Sequence, residues 1–335
     1  MIRASLVFAG LLAILLPLSL LAGRVWIDPF APIGEGPANA ALILMELRLP
    51  RAILAIVVGA GLGAAGAAMQ GYLRNPLADP GLFGIAPMAA LGAVTSFWLG
   101  SVLPPTLAYW SLPVFALSGA ALGMALLALI AGRTSSDAAG GAGGGIALFT
   151  LAGLMIASLA GALTALAITM SPSAFALSQI VLWLNGALTD RSWSDVAIAA
   201  PLTLAGIAAL ALAARSLDAL TLGEEAARSL GMDPRQVLLT LVVGVGLTVG
   251  SGVAVAGIIG FVGLIVPHLV RPLTDRLPSS LLWPSALAGA CLVLAADSVV
   301  RVLPLVTELR LGIALSLIGA PFFMWLLIRM RRGRL

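Results

Sequence analysis

The side chains that could carry out bond chemistry are few in this chain and far apart. It has one histidine, His268, and one cysteine, Cys291, which excludes a multi-histidine metal site, a cysteine cluster and an intrachain disulfide. Ser251, in a Gly-Ser-Gly sequence, could pair with His268 as an intramembrane serine–histidine dyad, but no orienting or oxyanion partner is recognisable. A lone histidine near a helix end is more often a structural hydrogen-bonding group. The residue types therefore favour a protein without catalytic chemistry of its own and without a metal site.

Charged side chains beside long apolar runs are the next candidates. Asp297 and Arg301 are four residues apart, a spacing that makes an ion pair on a helix. Arg48, Arg51 and Arg301 are predicted to share one face, where they could receive carboxylates of a soluble partner or contact lipid phosphates. Asp79 and Asp297 are the carboxylates that a transporter driven by an ion gradient would need.

The composition requires a lipid environment. Hydrophobic residues make up 61% of the 335 residues and charged residues 10%, and the mean hydropathy is +1.11. A soluble domain of this length cannot bury so much apolar surface. All 18 basic residues are arginine, and without lysine the chain cannot contain a P-loop, so any nucleotide must be bound by another chain. The net charge of +4 comes from arginines dispersed between apolar runs, which indicates membrane topology rather than nucleic-acid binding.

Apolar windows of about 20 residues predict an all-α, polytopic membrane protein with ten spans. They lie at 5–23, 52–73, 82–100, 111–131, 146–169, 195–214, 237–256, 258–271, 281–300 and 311–329. Residues 1–23 are interpreted as the first span rather than a signal peptide, because many spans follow. The seventh and eighth segments form one apolar run that is too long for one membrane crossing and rather short for two. Glycines and Pro267 interrupt its later part, so we expect a broken or short helix there.

Arginine asymmetry orients the predicted spans. Ten spans put both termini on one side, and that side holds twelve of the 18 arginines. Because arginine is enriched on the cytoplasmic side of membrane proteins, both termini are predicted to be cytoplasmic. The other six arginines are Arg24, Arg48, Arg51, Arg191, Arg301 and Arg310.

A polar stretch from Thr221 to Val237 interrupts the apolar chain on the predicted cytoplasmic side. Thr221 and Glu224 have the spacing of a capping box at a helix start, and Gly231 is a candidate C′ glycine. Asp233 can cap a second helix, with Pro234 in its first turn and Gln236 completing a second capping box. We therefore expect two short helices with a turn at 231–233, an elbow that a partner can grip.

The stretch from Gln70 to Gly84 breaks the helical pattern at the cytoplasmic end of the second span. Asn75-Pro76 and Asp79-Pro80 are the breaking dipeptides. Irregular backbone at membrane depth is tolerated only beside protein or a water-filled cavity, so this loop is predicted to border a pathway. A tight polar turn at the membrane interface is the alternative.

Two GxxxG patterns indicate close helix packing. They are Gly59-Ala-Gly-Leu-Gly63 and Gly119-Ala-Ala-Leu-Gly123. Packing inside one bundle is favoured over a specific dimer face, since small residues serve both purposes in membranes.

These stretches together resemble the FecCD-type permeases of bacterial ABC importers, the type II importers of ferric siderophores, haem and cobalamin. Ordered matches from about residue 45 to the C-terminus make the resemblance specific. The matching residues are Arg48-Leu-Pro-Arg51, Met69-Gln70, Asn75-Pro-Leu-Ala-Asp-Pro-Gly81, Leu222-Gly-Glu-Glu-Ala-Ala-Arg-Ser-Leu-Gly231, Gly260-Phe-Val-Gly-Leu-Ile-Val-Pro-His268 and Gly319-Ala-Pro-Phe-Phe323.

The resemblance implies a fold, partners and site residues. The family fold is a single permease domain, here 1–335, with ten helices and a cytoplasmic coupling elbow at about 216–237. Two permease copies surround a central pathway, and two ATPases that bind ATP and magnesium dock on the elbows. A periplasmic binding protein delivers the substrate to the outer face. By the same resemblance, residues that contact the ATPase are Thr221, Gly223, Glu224, Glu225, Ala226, Ala227, Arg228 and Gly231.

Docking and gating residues follow from similarity to the cobalamin member of the family. Arg48, Arg51 and Arg301 match arginines that receive carboxylates of the binding protein. Asn75 and Leu77 match residues of the cytoplasmic gate, and Ile146 and Ala147 lie near the loop that supplies the other part of that gate.

The sequence is therefore interpreted as the permease subunit of an ATP-driven importer in a bacterial inner membrane. It has no cofactor of its own and no nucleic-acid partner, and its substrate is an iron complex or cobalamin. The alternatives are a secondary transporter driven by an ion gradient, with Asp79 or Asp297 as its coupling site, and the intramembrane serine protease of Ser251 and His268.

Overall fold

Helices are the only regular elements in the part of the chain that the structure describes. The structure is a computed structural model that describes residues 2–23, 40–99, 104–132, 144–171 and 173–331. The all-α prediction is confirmed. The helices are α1 (Ile2–Leu21), α2 (Ala40–Leu42), α3 (Leu49–Tyr72), α4 (Ile85–Leu99), α5 (Pro105–Gly132), α6 (Gly144–Thr169), α7 (Ala174–Leu184), α8 (Trp193–Leu220), α9 (Glu224–Ser229), α10 (Pro234–Ala256), α11 (Val262–Val270), α12 (Pro278–Val302) and α13 (Leu311–Arg331), with a π-helical turn at Ile43–Arg48 and 3-10 turns at Pro80–Phe83 and Arg271–Leu273.

Each of the ten predicted spans coincides with a helix, but two of these helices are too short to cross a bilayer alone. Eight described helical segments have the length and apolar character of a span. The third and eighth predicted spans correspond to α4 and α11, which have 15 and nine residues. One apolar helix, the 11-residue α7, was not predicted. It is shorter than the window of about 20 residues by which spans are recognised.

Two helices form the centre of the bundle. Within the span windows of α3 and α10, 78% of the residues are buried, against 11% for α1. Helix α3 packs on α8, α10, α11 and α12, and α10 also packs on α5 and α8. The peripheral helices α1, α6 and α13 therefore leave wide apolar faces for lipid or for a second chain.

Small residues let the central helices approach to backbone contact. A Cβ atom added to Gly63 would lie 2.1 Å from the carbonyl oxygen of Ser285, and one added to Gly59 would lie 2.3 Å from that of Gly289. The first GxxxG pattern thus packs α3 against α12. Gly119 in the second pattern lies equally close to Met88 of α4. The prediction of packing inside one bundle is confirmed.

The predicted break in the seventh and eighth segments separates α10 from α11. Gly257 and Phe261 have φ values of 71° and 67°, which reverse the chain between the two helices. Pro267 lacks an N–H group, so the carbonyl of Gly263 loses its helical donor. The side-chain nitrogen of the buried Gln70 donates to that carbonyl at 3.3 Å, and Gln70 accepts a bond of 2.8 Å from Arg271. Gln70 therefore fixes the half-length helix against α3.

The connection between α3 and α4 returns into the bundle instead of staying at its surface. A Cβ atom on Gly263 would lie 2.6 Å from Cδ of Pro80 and 3.1 Å from the carbonyl of Leu62. Because Leu62 lies ten residues before α3 ends at Tyr72, Pro80, at the level of Leu62, lies within the bundle and not at the level of the helix ends. Helix α4 is short because it begins at this depth. The part of the connection around Pro80 is therefore enclosed by protein, which a turn lying wholly at the membrane interface would not be. That the loop borders a pathway stays a prediction.

The helix directions define two ends of the molecule: the arginine end, where Arg48, Arg51 and Arg301 lie, and the elbow end, which carries residues 221–237. At the arginine end, Nε1 of Trp193, which begins α8, donates to the carbonyl of Met45 at 3.0 Å. At the elbow end, Asp218, near the end of α8, accepts a bond of 2.8 Å from the amide of Ser279. The 28 residues of α8 separate these ends by about 40 Å at the helical rise of 1.5 Å per residue. That length matches a bilayer with its interfaces.

Candidate functional site

The three arginines predicted for docking meet at the arginine end. Arg48, Arg51 and Arg301 line one cleft of about 240 Å³ together with Glu308. Each arginine is largely buried, with 6%, 9% and 6% of its surface exposed. The prediction that they share one face is therefore confirmed, whereas a contact with a binding protein stays a prediction.

Arg51 connects two carboxylates within the chain. Its Nε and Nη2 atoms donate to Oδ1 of Asp297 at 3.0 and 2.8 Å, and its Nη1 donates to Oε2 of Glu308 at 3.2 Å. Nη2 of Arg51 also makes a short contact with Oε1 of Glu308. Asp297 pairs in turn with Nε of Arg301 at 3.1 Å, as its i,i+4 spacing predicts. Asp297 is fully buried between two arginines, so its charge is compensated inside the protein.

Arg48 and Arg301 also bind the last carbonyl groups of α1. Nη1 of Arg48 donates to the carbonyls of Leu20 and Leu21 at 2.7 and 2.9 Å. Nη1 of Arg301 donates to Ala22 at 3.3 Å, and its Nη2 donates to the hydroxyl of Ser19 at 2.6 Å. These carbonyls have no donor within their own helix, and the negative helix end favours a cation. Sequence reasoning missed this role, because it depends on how α1 packs against α12.

Glu308 is the accessible acid of the cleft. It lies in the connection 303–310, and its side chain is 23% exposed, against 0% for Asp297. Burial raises its pKa, but hydrogen bonds and the charge of Arg51 outweigh burial and hold the pKa of Glu308 below its ordinary value. A carboxyl with a lowered pKa keeps its charge above its ordinary pKa and loses it only as the pH falls through the lowered value. Glu308 is therefore ionised at neutral pH.

The elbow at the other end contains one short helix, α9, followed by the first turn of the long α10. The capping box predicted for Thr221 and Glu224 is wrong. Thr221 is the C-cap of α8 rather than the start of a helix, and its hydroxyl donates to the carbonyl of Asp218 at 2.7 Å. Gly223, with φ 103°, directly precedes α9. Glu224 instead pairs with Arg228 at 3.0 Å. The Thr221–Glu224 spacing was misleading because the preceding helix extends through Leu220.

The turn between α9 and α10 agrees with the sequence prediction. Gly231 has φ 83°, its amide donates to Arg228 at 2.9 Å, and the amide of Met232 donates to Ala227 at 3.1 Å. These two bonds define a Schellman motif. Asp233 caps α10 as predicted, through the amide of Arg235 at 2.9 Å, but the second capping box predicted with Gln236 does not form. The expected second short helix is wrong, because α10 continues into the bundle.

Two leucines of the elbow were not singled out from the sequence. Leu222 and Leu230 flank α9 and are 69% and 68% exposed. Ala227, within α9, is fully buried and packs the short helix against the bundle. Apolar side chains exposed on a polar segment are the signal that could have identified them.

Three of the four predicted gate residues line one cleft near the elbow end. Asn75, Leu77 and Ile146 border a cavity of about 280 Å³, and Oδ1 of Asn75 accepts a bond of 2.9 Å from the amide of Leu77. Ala147 is exposed on α6 and is not among the residues lining this cleft. The hydroxyl-bearing residue of the cleft is Thr150, one turn further along α6.

Aromatic rings support the gate cleft from the side of the bundle. The rings of Phe83 and Phe149 stack with centroids 5.1 Å apart, and Tyr72 meets Phe149 edge-on at 5.3 Å. Phe83 also lines the cleft. The gate residues therefore rest on a packed aromatic layer, which restricts movement of the loop unless α6 moves with it.

The residues proposed for a serine–histidine dyad do not form one. Ser251 is fully buried, and its hydroxyl bonds with that of Thr203 at 2.9 Å and with the carbonyl of Leu247 at 2.6 Å. His268 packs edge-on against Phe322 with ring centroids 6.3 Å apart. Its Nδ1 has no hydrogen-bond partner among the described residues. A buried, hydrogen-bonded serine side chain cannot serve as a nucleophile for a peptide.

A bundle of apolar helices with a capped elbow at one end and a cationic cleft at the other defines an integral membrane transport protein. The chain belongs to the FecCD transport family, whose profile matches residues 11–329. It is a permease of the ABC importer class rather than an enzyme, and the secondary-transporter and protease interpretations are thereby set aside.

Relatives with described roles match nearly the full chain. The hemin transport system permease protein of Yersinia pestis is 40% identical over 87% of this chain and 85% of its own length. The vitamin B12 import system permease protein of Escherichia coli O9:H4 is 37% identical over 99% and 96%. The Fe(3+) dicitrate transport system permease protein of Escherichia coli K12 is 37% identical over 86% of each chain.

A solved structure also matches the complete fold. It is described as an inward-facing conformation of a metal-chelate type ABC transporter, and it covers 98% of this chain and 100% of its own. The TM-score is 0.84 at 28% sequence identity. The prediction of an ABC importer permease is confirmed by both kinds of comparison.

Proposed function

We propose that this chain, as a homodimer in a bacterial inner membrane, imports an iron complex or cobalamin delivered by a periplasmic binding protein. Two ATPase subunits on the cytoplasmic side bind ATP and magnesium and supply the energy. The permease itself binds no cofactor and no nucleic acid. One observation carries this proposal. The exposed, capped elbow and the cationic cleft lie at opposite ends of the bundle, one membrane crossing apart.

The elbow is the surface proposed for the ATPase. The set comprises Thr221, Gly223, Glu224, Glu225, Ala226, Ala227, Arg228 and Gly231, to which we add Leu222 and Leu230. The exposed leucines offer apolar anchors, and Ala227 ties the helix to the bundle. A rigid connection of this kind transmits a movement of the ATPase to α8 and α10 together.

The arginine cleft is the surface proposed for the binding protein. Arg48, Arg51 and Arg301 outnumber Asp297 and Glu308 at this site, which leaves one positive charge in excess. A carboxylate on the binding protein complements that charge and orients the partner. Lipid phosphate is the competing ligand for the same guanidinium groups.

The arginine distribution supports cytoplasmic termini and a cytoplasmic elbow. Five described arginines belong to the arginine end, and three of these are the buried residues of the cleft. Nine belong to the elbow end, where arginine is expected on the cytoplasmic side. They are Arg3, Arg74, Arg215, Arg228, Arg235, Arg271, Arg276, Arg329 and Arg331.

The pathway is proposed to run between two copies, beside α6. Leu154 lines the gate cleft and is 53% exposed, so the cleft continues onto the uncovered face of this helix. A second copy against α6 would close the pathway, and lipid would cover the remaining apolar faces. Asn75, Leu77, Ile146 and Ala147 would then form the cytoplasmic gate of each copy.

Uptake by the reconstituted transporter tests the proposal. The chain is assembled in proteoliposomes with the ATPase and binding protein encoded with it, and haemin, ferric citrate and cobalamin are offered in turn. We expect ATP-dependent accumulation of one of them, because the relatives transport members of this group. A non-hydrolysable ATP analogue should abolish uptake. Uptake that needs only a proton gradient would contradict the proposal, and accumulation of none of the three compounds would exclude them as its substrates.

A further inference from the structure

Glu308 holds together two connections that are far apart in sequence. Its Oε1 accepts a bond of 3.3 Å from the hydroxyl of Thr189 in the connection between α7 and α8, and its carboxylate pairs with Arg51 of α3. Close by, the amide of Gly312 in α13 donates to the carbonyl of Gly186 at 3.1 Å. Glu308 thus joins the start of α13 to the α7–α8 connection.

The same connection touches the break between α10 and α11. The amide of Ala187 donates to the carbonyl of Ala256, the last residue of α10, at 2.8 Å. A Cβ atom on Gly186 would lie 2.2 Å from the carbonyl of Ile258, and one on Gly312 would lie 2.7 Å from the same atom. Three backbone segments therefore meet in direct contact beside Thr189. A movement of one requires a movement of the others, because no space separates them.

The two acids bound to Arg51 are held with unequal strength. Asp297 lies within α12, is fully buried, and binds both Arg51 and Arg301. Glu308 is more exposed, lies in a non-helical connection, and borders the open cleft. An acid that enters the cleft can therefore replace Glu308, whereas Asp297 is out of reach.

We propose that Glu308 is an internal stand-in for the docking carboxylate of the binding protein, that is, an acid of this chain that occupies Arg51 until the partner's carboxylate binds there. When that carboxylate binds the arginine cleft, it takes Arg51 from Glu308 and so releases the link between the start of α13 and the α7–α8 connection. This inference rests on the proposed docking of a binding protein at the arginine cleft. It makes Glu308 a positioning residue that couples docking to movement of the adjoining helices.

Glu308→Gln tests the competition. Glutamine keeps the size of the side chain but removes the charge that competes for Arg51 and that holds the side chain in place beside Thr189. We expect the binding protein that supports uptake to bind the complete transporter in lipid nanodiscs about tenfold more tightly, because no ion pair has to be broken. Glu46→Gln is the matched control, since it removes one exposed acid near Arg48 and should leave the affinity unchanged. Glu308→Asp, which keeps the charge, should bind like the unmodified chain.

Arg51→Gln separates this inference from the proposed function. Weaker binding by Arg51→Gln with unchanged binding by Glu308→Gln would leave docking intact and overturn the stand-in. Unchanged binding by both variants would overturn the stand-in together with the arginine docking site. An unmodified transporter that does not bind the partner would refute the proposed function itself.

A distance measurement reports the release directly. Spin labels at Asp190→Cys and Val306→Cys, both exposed positions, are introduced with Cys291→Ala, and the distance distribution is measured in nanodiscs. We expect a narrow distribution in the free transporter and a broader one both after addition of the binding protein and in the Glu308→Gln variant. A Glu308→Gln distribution as narrow as that of the free, unmodified transporter would overturn the inference. Because the distance is measured without the binding protein, this test holds even if Glu308→Gln changes the affinity for that protein for another reason.

Discussion

Arginine is suited to the cleft because one guanidinium serves several acceptors in a plane. Arg51 binds two carboxylates, and Arg48 binds two carbonyl groups of α1. The Asp297–Arg301 pair could be predicted from the sequence, since four residues on a helix bring side chains together. The Arg51–Asp297 contact could not, because it joins positions 246 residues apart and exists only through the packing of α3 on α12.

Asp297→Asn should be the most destabilising neutralisation of an acid at the arginine end. It leaves Arg51 and Arg301 buried close to each other without the carboxylate between them. Removing one partner of a buried pair in this way lowers the free energy of unfolding by about 3 kcal/mol. Thermal unfolding in detergent, followed by size-exclusion chromatography, measures the effect. The control is Asp195→Asn, whose partly exposed pair with Arg191 spans 3.8 Å and contributes less than about 1 kcal/mol. Equal melting temperatures for the two variants would contradict this account.

At the scale of elements, capping signals predicted some helix ends and failed at others. Gly231 and Asp233 were predicted correctly because their conformations depend on hydrogen bonds to residues within a few positions. Thr221 was not, because its spacing to Glu224 suits a helix start, while the long α8 arrives from the bundle and ends there. Helix α7 escaped prediction because its 11 residues are too few for a span.

Gly231→Val should uncouple ATP hydrolysis from transport. No atom lies within 4 Å of a Cβ at this position, so the cost arises from its φ of 83° and not from a clash. A β-branched residue strongly disfavours that conformation, so the turn between α9 and α10 should rearrange. We expect uptake to fall about tenfold, a change of about 1.4 kcal/mol in coupling, while ATP hydrolysis persists. Gly10→Val is the control, because Gly10 is an equally open glycine within α1. Normal uptake by Gly231→Val would contradict the coupling role.

At the scale of the molecule, the sequence predicted the helical class, the ten apolar segments and the break before α11, since these follow from hydropathy and from glycine and proline. The depth reached by Pro80 and the meeting of three connections at Gly186 depend on contacts between distant segments. Such contacts leave no local pattern in one sequence. The two-ended layout then follows from the length of α8 and from the positions of its first and last contacts.

The orientation of the two ends can be measured by labelling single cysteines. Cys291 is buried and is replaced by alanine, and cysteine is then introduced at Val306, which is 97% exposed at the arginine end, or at the exposed Ser229 in the elbow. In spheroplasts, a membrane-impermeant maleimide should label Val306→Cys at once and Ser229→Cys only after permeabilisation, because the arginine-rich elbow end belongs in the cytoplasm.

The unmodified chain serves as the control for this experiment and should remain unlabelled in both conditions, since its cysteine is inaccessible. Inverted membrane vesicles should give the opposite pattern for the two introduced cysteines. If the elbow reacts in intact spheroplasts, the arginine cleft faces the cytoplasm and cannot receive a periplasmic partner. That result would remove the docking surface, the stand-in role of Glu308 and the ATPase contact together, because all three depend on which end of α8 faces outward.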